Sequence, residues 1–155
     1  MTPETLIELA RNKGVMIATA ESCTGGLLAG ALTDVAGSSA VFERGFVTYS
    51  NAAKTEMLGV DPGLIATFGA VSEEVAQAMA EGALAASNAA LTISVTGIAG
   101  PGTSDFKPEG RVCFGRAQAG HPAYVETLEF GAIGRFDVRR AAVTHALALL
   151  RHALI

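Results

Sequence analysis

Reactive side chains and two adjacent glycines follow an apolar run in TAESCTGGLLAGALTD, residues 19–34. Ser22 and Cys23 are candidate nucleophiles, and Gly25-Gly26 precede a helical segment. Backbone N–H groups at such a helix start suit a phosphate or a developing oxyanion. The same residue types are also ordinary helix caps. The segment therefore allows three interpretations: a nucleophile turn, a phosphate-binding turn or only a helix start.

A serine nucleophile needs a base, and Lys54 is the better candidate. The histidines, at 121, 145 and 152, lie far in sequence from the glycine pair and give no support to a Ser-His-Asp triad. Lys54 follows a strand in TYSNAAK, at the start of a helix. A neutral amine can deprotonate serine if its pKa falls from about 10 toward about 7–8, which burial and a helix N-terminus promote. A solvated helix lysine is the alternative.

Cys23 is the competing nucleophile, because a helix N-terminus lowers the pKa of a thiol. Adjacent side chains point in different directions, so Ser22 and Cys23 are not expected to face one pocket together. We predict that Cys23 is a small buried side chain packed behind the turn. Glu21 and Asp105 could act as acids, but no Asp, Glu or His cluster has metal-ligand spacing. We therefore predict no metal site.

A second glycine-rich turn, TGIAGPGTSDFKPEG, follows another apolar strand at residues 96–110. Ligands of open α/β sheets bind outside the carboxyl ends of the strands. The strand ends near Ala20 and Thr96 are therefore expected to face one pocket. Arg135 and Arg139, four residues apart at the start of the last helix, could clamp a phosphate or carboxylate, with solvent as the alternative partner.

Composition favours one domain with a buried core, because the chain has 155 residues of which 50% are hydrophobic. The net charge of −4 and the scattered 11 Lys and Arg residues argue against nucleic acid as a partner. No apolar run approaches the roughly 20 residues that span a membrane, and the N-terminus lacks the pattern of a secretory signal. Two cysteines without metal spacing favour reduced thiols in the cytoplasm.

The order of the predicted elements indicates an α/β fold, a three-layer α/β/α sandwich with a mixed, mostly parallel sheet. Strands alternate with helices, and two strands separated by AGHP form a hairpin. We predict helices at 3–13, from after Gly26 to about Asp34, from a cap at Asn51 to Gly59, from Ser72 onward and from Gly134 onward, and strands at 15–20, 46–50, 90–97, 111–118 and 123–130. The core stripe predicted for the last helix consists of Phe136, Val143, Leu147, Leu150 and Leu154.

Four longer segments resemble the CinA C-terminal domain family, whose stand-alone members are nicotinamide-nucleotide amidohydrolases. The segments TAESCTGGLL, GSSAVFERGFVTYSNAAKTEMLGV, GAVSEEVAQAMAEGAL and SVTGIAGPG stand in the order and spacing of that family. The resemblance implies hydrolysis of the carboxamide of nicotinamide mononucleotide to nicotinic acid mononucleotide and ammonia, without a cofactor.

The resemblance also implies roles for individual residues. Ser22 and Lys54 become the catalytic pair, and Tyr49 and Thr96 help to position the amide or assist proton transfer. The implied substrate-binding residues are Thr24, Gly25, Gly26, Gly97, Gly100, Arg135 and Arg139.

Two classes of function follow from these residues. In an amidohydrolase, Lys54 takes the proton of Ser22, Ser22 attacks the amide carbon, and backbone N–H groups near residues 24–26 hold the oxyanion. In a non-catalytic nucleotide-binding or competence-related regulatory module, Ser22 and Lys54 need not be kept together. The high Ala and Gly content makes a homodimer the expected assembly.

Overall fold

The structure is a computed structural model that describes residues 2–155. Within that range the chain forms six α-helices and five β-strands, and a short 3-10 turn, Ser38–Ala40, precedes β2. In chain order the elements are α1 Pro3–Lys13, β1 Ile17–Glu21, α2 Leu27–Thr33, β2 Phe42–Val47, α3 Asn51–Leu58, α4 Pro62–Phe68, α5 Glu73–Ala85, β3 Leu91–Gly97, β4 Arg111–Gln118, β5 Tyr124–Glu129 and α6 Arg135–His152.

The strands form one mixed sheet in the order β2-β1-β3-β4-β5. β1 pairs in parallel with β2 and β3, and β4 runs antiparallel to both β3 and β5. Four strands therefore point the same way and only β4 points the other way. Helices α1, α2 and α6 cover one face of the sheet, and α3, α4 and α5 cover the other. A separate buried apolar cluster lies between the sheet and each of these two helical layers. The predicted three-layer fold with a mixed, mostly parallel sheet is confirmed.

Alternate residues of β3 carry hydroxyl groups that face α5. Thr92 and Ser94 donate hydrogen bonds to carbonyls of α5, and Thr96 donates to Ala70 O in the loop before that helix, at 2.9 Å. The intervening apolar residues of β3 belong to the cluster on the other face. Small hydroxyl side chains let α5 approach the sheet closely while their own polar atoms remain paired. This contact fixes the carboxyl end of β3, where the second glycine-rich turn begins.

The second strand and the helix after it begin at different residues from those predicted. The predicted strand at 46–50 is wrong, because β2 is Phe42–Val47. It is a half-exposed edge strand whose sequence FERGFV carries charges and a glycine, so it lacks an apolar run. The predicted cap at Asn51 is also wrong. Ser50 has extended backbone angles, and its hydroxyl accepts the N–H of Ala53 at 3.0 Å.

Two further differences concern helices. Helix α4 was not predicted, although Asp61 as its cap and Pro62 at its first position are helix-start signals. Phe136 does not belong to the core stripe of α6, because 66% of it is exposed, and Val138 is buried in its place. The other four predicted residues of the stripe are buried. None of the helices formed by residues 2–155 combines the length and the apolar character needed to cross a membrane.

Candidate active site

Ser22 lies directly after β1, at the start of the turn that leads into α2. The turn closes through the N–H of Gly25, which donates to Ser22 O at 3.0 Å. Gly26 occupies the cap position of α2 with φ 106, a backbone conformation that glycine adopts without steric cost. The chain can therefore reverse immediately after Ser22 and start a helix. The segment is at once a sharp turn and a helix start.

The side chain of Lys54 reaches back from α3 to the Ser22 turn. Its Nζ lies 3.0 Å from Ser22 Oγ and donates to Thr48 O at 2.9 Å and to Tyr49 O at 3.4 Å. Only 1% of the Lys54 residue surface is exposed. The alternative of a solvated helix lysine is therefore wrong, and the predicted pair is in hydrogen-bond contact.

The surroundings of Lys54 favour the neutral amine. Burial lowers the pKa of Lys54, and the opposing effect of a charge on Cys23 is smaller. No salt bridge found in the described chain includes Lys54. A neutral amine has two N–H donors and one lone pair, so it can donate to both carbonyls and accept the hydroxyl proton of Ser22. This geometry suits a general base for Ser22.

Cys23 is the less suitable nucleophile. Only 6% of it is exposed, and it packs in the apolar cluster between the sheet and α1, α2 and α6. Burial raises the pKa of its thiol to about 12, which outweighs the lowering expected from the nearby helix start. The reactive thiolate is therefore rare at neutral pH. The prediction that Cys23 packs behind the turn is confirmed.

A cavity of 460 Å³ opens beside Ser22 and Lys54, at the carboxyl ends of β1 and β3. The end of β3 and the loop that follows it form much of its wall, including the predicted residues Thr96, Gly97 and Gly100. The expectation that the two glycine-rich turns face one pocket is confirmed. Asp105 also borders this cavity, as an exposed side chain.

Gly100 shows why this wall needs a glycine. Its φ is +92, and a Cβ at that position would lie 2.6 Å from the carboxyl carbon of Glu109. The Glu109 carboxylate accepts the N–H of Gly102 at 2.6 Å and so supports the loop from behind. Any larger residue at Gly100 would have to displace that support.

Tyr49 and Arg135 lie together at the rim of the cavity. The Arg135 guanidinium donates to Tyr49 Oη and to Gly100 O, each at 2.8 Å. Tyr49 is 60% exposed, so its ring and hydroxyl are accessible to a ligand. Thr96, in contrast, is buried, and its hydroxyl is bonded to Ala70 O. The four predicted catalytic residues, Ser22, Lys54, Tyr49 and Thr96, thus all border one cavity. Tyr49 is exposed there, whereas Thr96 is buried and already hydrogen-bonded.

Four of the predicted substrate-binding residues do not line this cavity: Thr24, Gly25, Gly26 and Arg139. Arg139 Nε donates to Cys23 O at 3.0 Å, and one of its terminal nitrogens donates to Thr24 O at 3.2 Å. The N–H of Gly25 is already bonded to Ser22 O. Direct contact of these four residues with a substrate therefore has no support in the geometry.

Glu21, which the sequence suggested only as a possible acid, has a structural role that the sequence did not indicate. It is fully buried, and its carboxylate accepts the N–H groups of Leu28 at 2.8 Å and Ala29 at 3.1 Å, in the first turn of α2. The backbone amides that could have bound an anion at this helix start therefore bind the protein's own carboxylate. An acidic residue just before a glycine turn and a helix was the available signal.

The other titratable residues form separate groups. His145 pairs with Glu126 between α6 and β5, and neither borders the cavity. Residues 2–155 contain no group of three or more His, Cys, Asp or Glu side chains placed to hold a metal ion. A second cavity of 810 Å³ lies between α3, α4 and residues 105–107, and neither Ser22 nor Lys54 lines it.

Comparison with known proteins assigns nearly the whole described chain to one kind of domain. The sequence profile of the CinA C-terminal domain matches residues 2–154. A competence-damage inducible protein of Caldicellulosiruptor saccharolyticus is 47% identical over 154 residues, which is 98% of this chain and 37% of the relative. A CinA-like protein of Mycolicibacterium vanbaalenii is 54% identical over 91% of this chain and 33% of the relative. The chain thus spans only about a third of the length of these curated relatives.

Solved structures match the chain over nearly its full length. The competence/damage inducible protein CihA of Agrobacterium tumefaciens is 49% identical, with a TM-score of 0.89 and coverage of 99% of this chain and 98% of its own. A competence or damage-inducible protein of Enterobacter asburiae is 33% identical, with a TM-score of 0.93 and coverage of 100% and 99%. These names describe competence and damage, and they state no chemical reaction.

Proposed function

Because this chain belongs to the CinA C-terminal domain family, we propose that its cavity hydrolyses the carboxamide of nicotinamide mononucleotide to nicotinic acid mononucleotide and ammonia. The observation that carries this proposal is the contact of 3.0 Å between Lys54 Nζ and Ser22 Oγ at the wall of the cavity. Burying an ionisable amine costs free energy of folding, and buried ionisable groups with shifted pKa values cluster at functional sites. Activation of Ser22 as a nucleophile is a function that this amine can serve.

The reaction proceeds in two halves. Neutral Lys54 takes the hydroxyl proton of Ser22 while Ser22 Oγ forms a bond to the amide carbon. The Lys54 ammonium then gives its proton to the nitrogen of the carboxamide, whose C–N bond breaks to release ammonia. A water molecule next attacks the acyl-enzyme ester, with Lys54 accepting its proton, and the acid leaves as Ser22 regains its hydrogen. Thr48 O and Tyr49 O accept hydrogen bonds from the ammonium form in between.

The developing oxyanion needs donors on the cavity side of Ser22. Residue Cys23 follows Ser22 directly and borders the cavity, and its backbone N–H donates to no backbone carbonyl in residues 2–155. We assign it this role in place of the amides of residues 24–26, because a backbone N–H close to the nucleophile is a common oxyanion donor. Tyr49 and Arg135 at the rim are then available for the ribose phosphate. A cavity of 460 Å³ is of ordinary size for a small ligand.

The reaction can be tested by direct assay. Purified protein incubated with nicotinamide mononucleotide is expected to release ammonia and nicotinic acid mononucleotide in equal amounts. Nicotinamide alone, which lacks the ribose phosphate, is the matched control and should react much more slowly. Binding of the nucleotide without release of ammonia across pH 6–9 would instead favour the non-catalytic nucleotide-binding module.

The rate of hydrolysis is expected to rise with pH and to level off below pH 10.5, the ordinary pKa of lysine. Only neutral Lys54 can accept the proton of Ser22, and burial lowers the pKa of Lys54, so the neutral fraction grows at lower pH than for an exposed lysine. Measuring kcat/KM from pH 6 to 10 checks this. A rate that falls over the same range would contradict the role of Lys54 as a base.

We place this reaction in the cytoplasm and expect the active protein to be a homodimer. Cys23 and Cys113 are both free and buried, which suits a reducing compartment. Exposed apolar side chains such as Phe106 and Phe136 offer material for an interface between two copies.

A further inference from the structure

The Ser22 turn is held on one side by Glu21. The carboxylate of Glu21 binds two N–H groups of α2, so it ties the end of β1 to the helix that follows the turn. The carbonyl of the same residue accepts the N–H of Thr48 at 2.8 Å, and Thr48 O in turn accepts Lys54 Nζ at 2.9 Å. Glu21 is therefore adjacent to Ser22 and is bonded to Thr48, the residue whose carbonyl accepts Lys54 Nζ.

Arg139 holds the same turn from another side. Its guanidinium reaches from α6 and donates to Cys23 O and Thr24 O, the two carbonyls that follow Ser22. Arg139 does not line the cavity beside Ser22 and is partly buried. A planar guanidinium can hold two neighbouring carbonyls in one fixed geometry, which a lysine ammonium cannot reproduce. Its hydrogen bonds are made to the turn itself.

We infer that Glu21 and Arg139 are positioning residues that keep Ser22 Oγ within hydrogen-bond reach of Lys54 Nζ. Two backbone segments that follow Ser22 are held by charged side chains: the α2 amides by the carboxylate of Glu21 and the turn carbonyls by the guanidinium of Arg139. Each contact joins a carboxylate or a guanidinium to backbone groups at 2.8–3.2 Å, and hydrogen bonds of this kind are stronger than those between two neutral groups. For its kinetic consequences the inference rests on the proposed amide hydrolysis.

Loss of a positioning residue and loss of a substrate-binding residue have different effects on kcat and KM. A residue that binds the substrate phosphate contributes to ground-state binding, so its loss raises KM. A residue that fixes the distance between Ser22 and Lys54 acts on the chemical step, so its loss lowers kcat and leaves KM nearly unchanged. Displacement of a reacting group by 1 Å can cost about 100-fold in rate.

The test compares Arg139→Lys with Arg140→Lys and Glu21→Gln with Glu74→Gln. Arg140 is the exposed neighbour of Arg139 on α6, and Glu74 is an exposed carboxylate in the first turn of α5. For each protein, kcat and KM for nicotinamide mononucleotide are measured, and the distance from Ser22 Oγ to Lys54 Nζ is determined by crystallography. Glu21→Gln places an amide NH2 group against backbone donors and could fail to fold, so Arg139→Lys carries the decision in that case.

Arg139→Lys is expected to lower kcat by about 100-fold, to change KM by less than about twofold and to lengthen the distance between Ser22 and Lys54. Arg140→Lys and Glu74→Gln should match the wild type. A raised KM with unchanged kcat, or an unchanged distance with unchanged kcat, would overturn the inference. If the wild type releases no ammonia, the proposed function fails, and the crystallographic distances in Arg139→Lys and Glu21→Gln still decide whether these residues position the pair.

Discussion

Replacing Ser22 with alanine is expected to lower kcat for release of ammonia from nicotinamide mononucleotide by about 10⁶-fold, the scale seen when the nucleophile is removed from a serine hydrolase. Ser22 Oγ is the only atom lost, and its hydrogen bond in the structure is to Lys54 Nζ. Losing one buried hydroxyl bond costs only about 1 kcal/mol of the free energy of unfolding. The variant should therefore fold, bind the nucleotide and fail in the chemical step.

The measurement pairs an ammonia assay with thermal unfolding and nucleotide titration of the same preparation. Ser39→Ala serves as the matched control, because Ser39 is an exposed serine of the 3-10 turn before β2. Full activity of Ser22→Ala would remove Ser22 from the mechanism, and an activated water would then have to be the nucleophile. A variant that binds the nucleotide as tightly as the wild type but does not release ammonia would agree with the proposed mechanism.

The sequence predicts much of this fold because several elements carry local signals at their ends. Helix α1 has Thr2 as its cap, Pro3 at its first position and Gly14 after its last residue, and each has that role in the structure. Strand β1 is buried and follows Val15 and Met16 in an apolar run, and β3 is a buried strand in which apolar residues alternate with small hydroxyl residues. Strand β2 lies at the edge of the sheet, where charged side chains remain in contact with water. Its sequence therefore contains no apolar run that would indicate a buried strand.

The candidate site was predictable in its residues but not in its supporting contacts. Ser22, Lys54 and the loop of residues 96–100 follow from motifs near strand ends, and the topology then brings them to one cavity. The bonds made by Arg139 depend on where α6 packs against α2, which no local pattern encodes. Because the sequence does not show these carbonyl partners, it suggested that Arg139 binds a substrate anion. In the structure Arg139 is bound to backbone carbonyls instead.

The position of Lys54 links catalysis to stability. In most proteins a lysine keeps its ammonium group in water, because burying the charge is costly. Here the amine is enclosed by the Ser22 turn and by Thr48 O and Tyr49 O, so folding favours the form without the proton. The same burial that destabilises the ammonium increases the fraction of neutral amine that is available to accept a proton near neutral pH. Changing this residue should therefore affect both activity and the pH dependence of folding.

Lys54→Met is expected to lower kcat by about 10³-fold, within the range that a general base contributes. Methionine has nearly the length of lysine and fills the same space, but it cannot accept the proton of Ser22. The rise of the rate with pH that Lys54 produces in the wild type should disappear along with the activity. Lys13→Met is the matched control, since Lys13 is an exposed lysine at the end of α1.

The stability of the same variant should depend on pH in a defined direction. In the wild type the pKa of Lys54 is lower in the folded state than its ordinary 10.5, so between these two values the unfolded chain binds more protons and the free energy of unfolding rises with pH. Lys54→Met lacks this contribution. As the pH rises through that window, the free energy of unfolding of the wild type should therefore increase relative to that of Lys54→Met. Denaturant unfolding of wild type, Lys54→Met and Lys13→Met from pH 6 to 10 measures the difference. A difference that stays constant over this range would mean that Lys54 is an ordinary ammonium in the folded protein, and an ordinary ammonium could not activate Ser22.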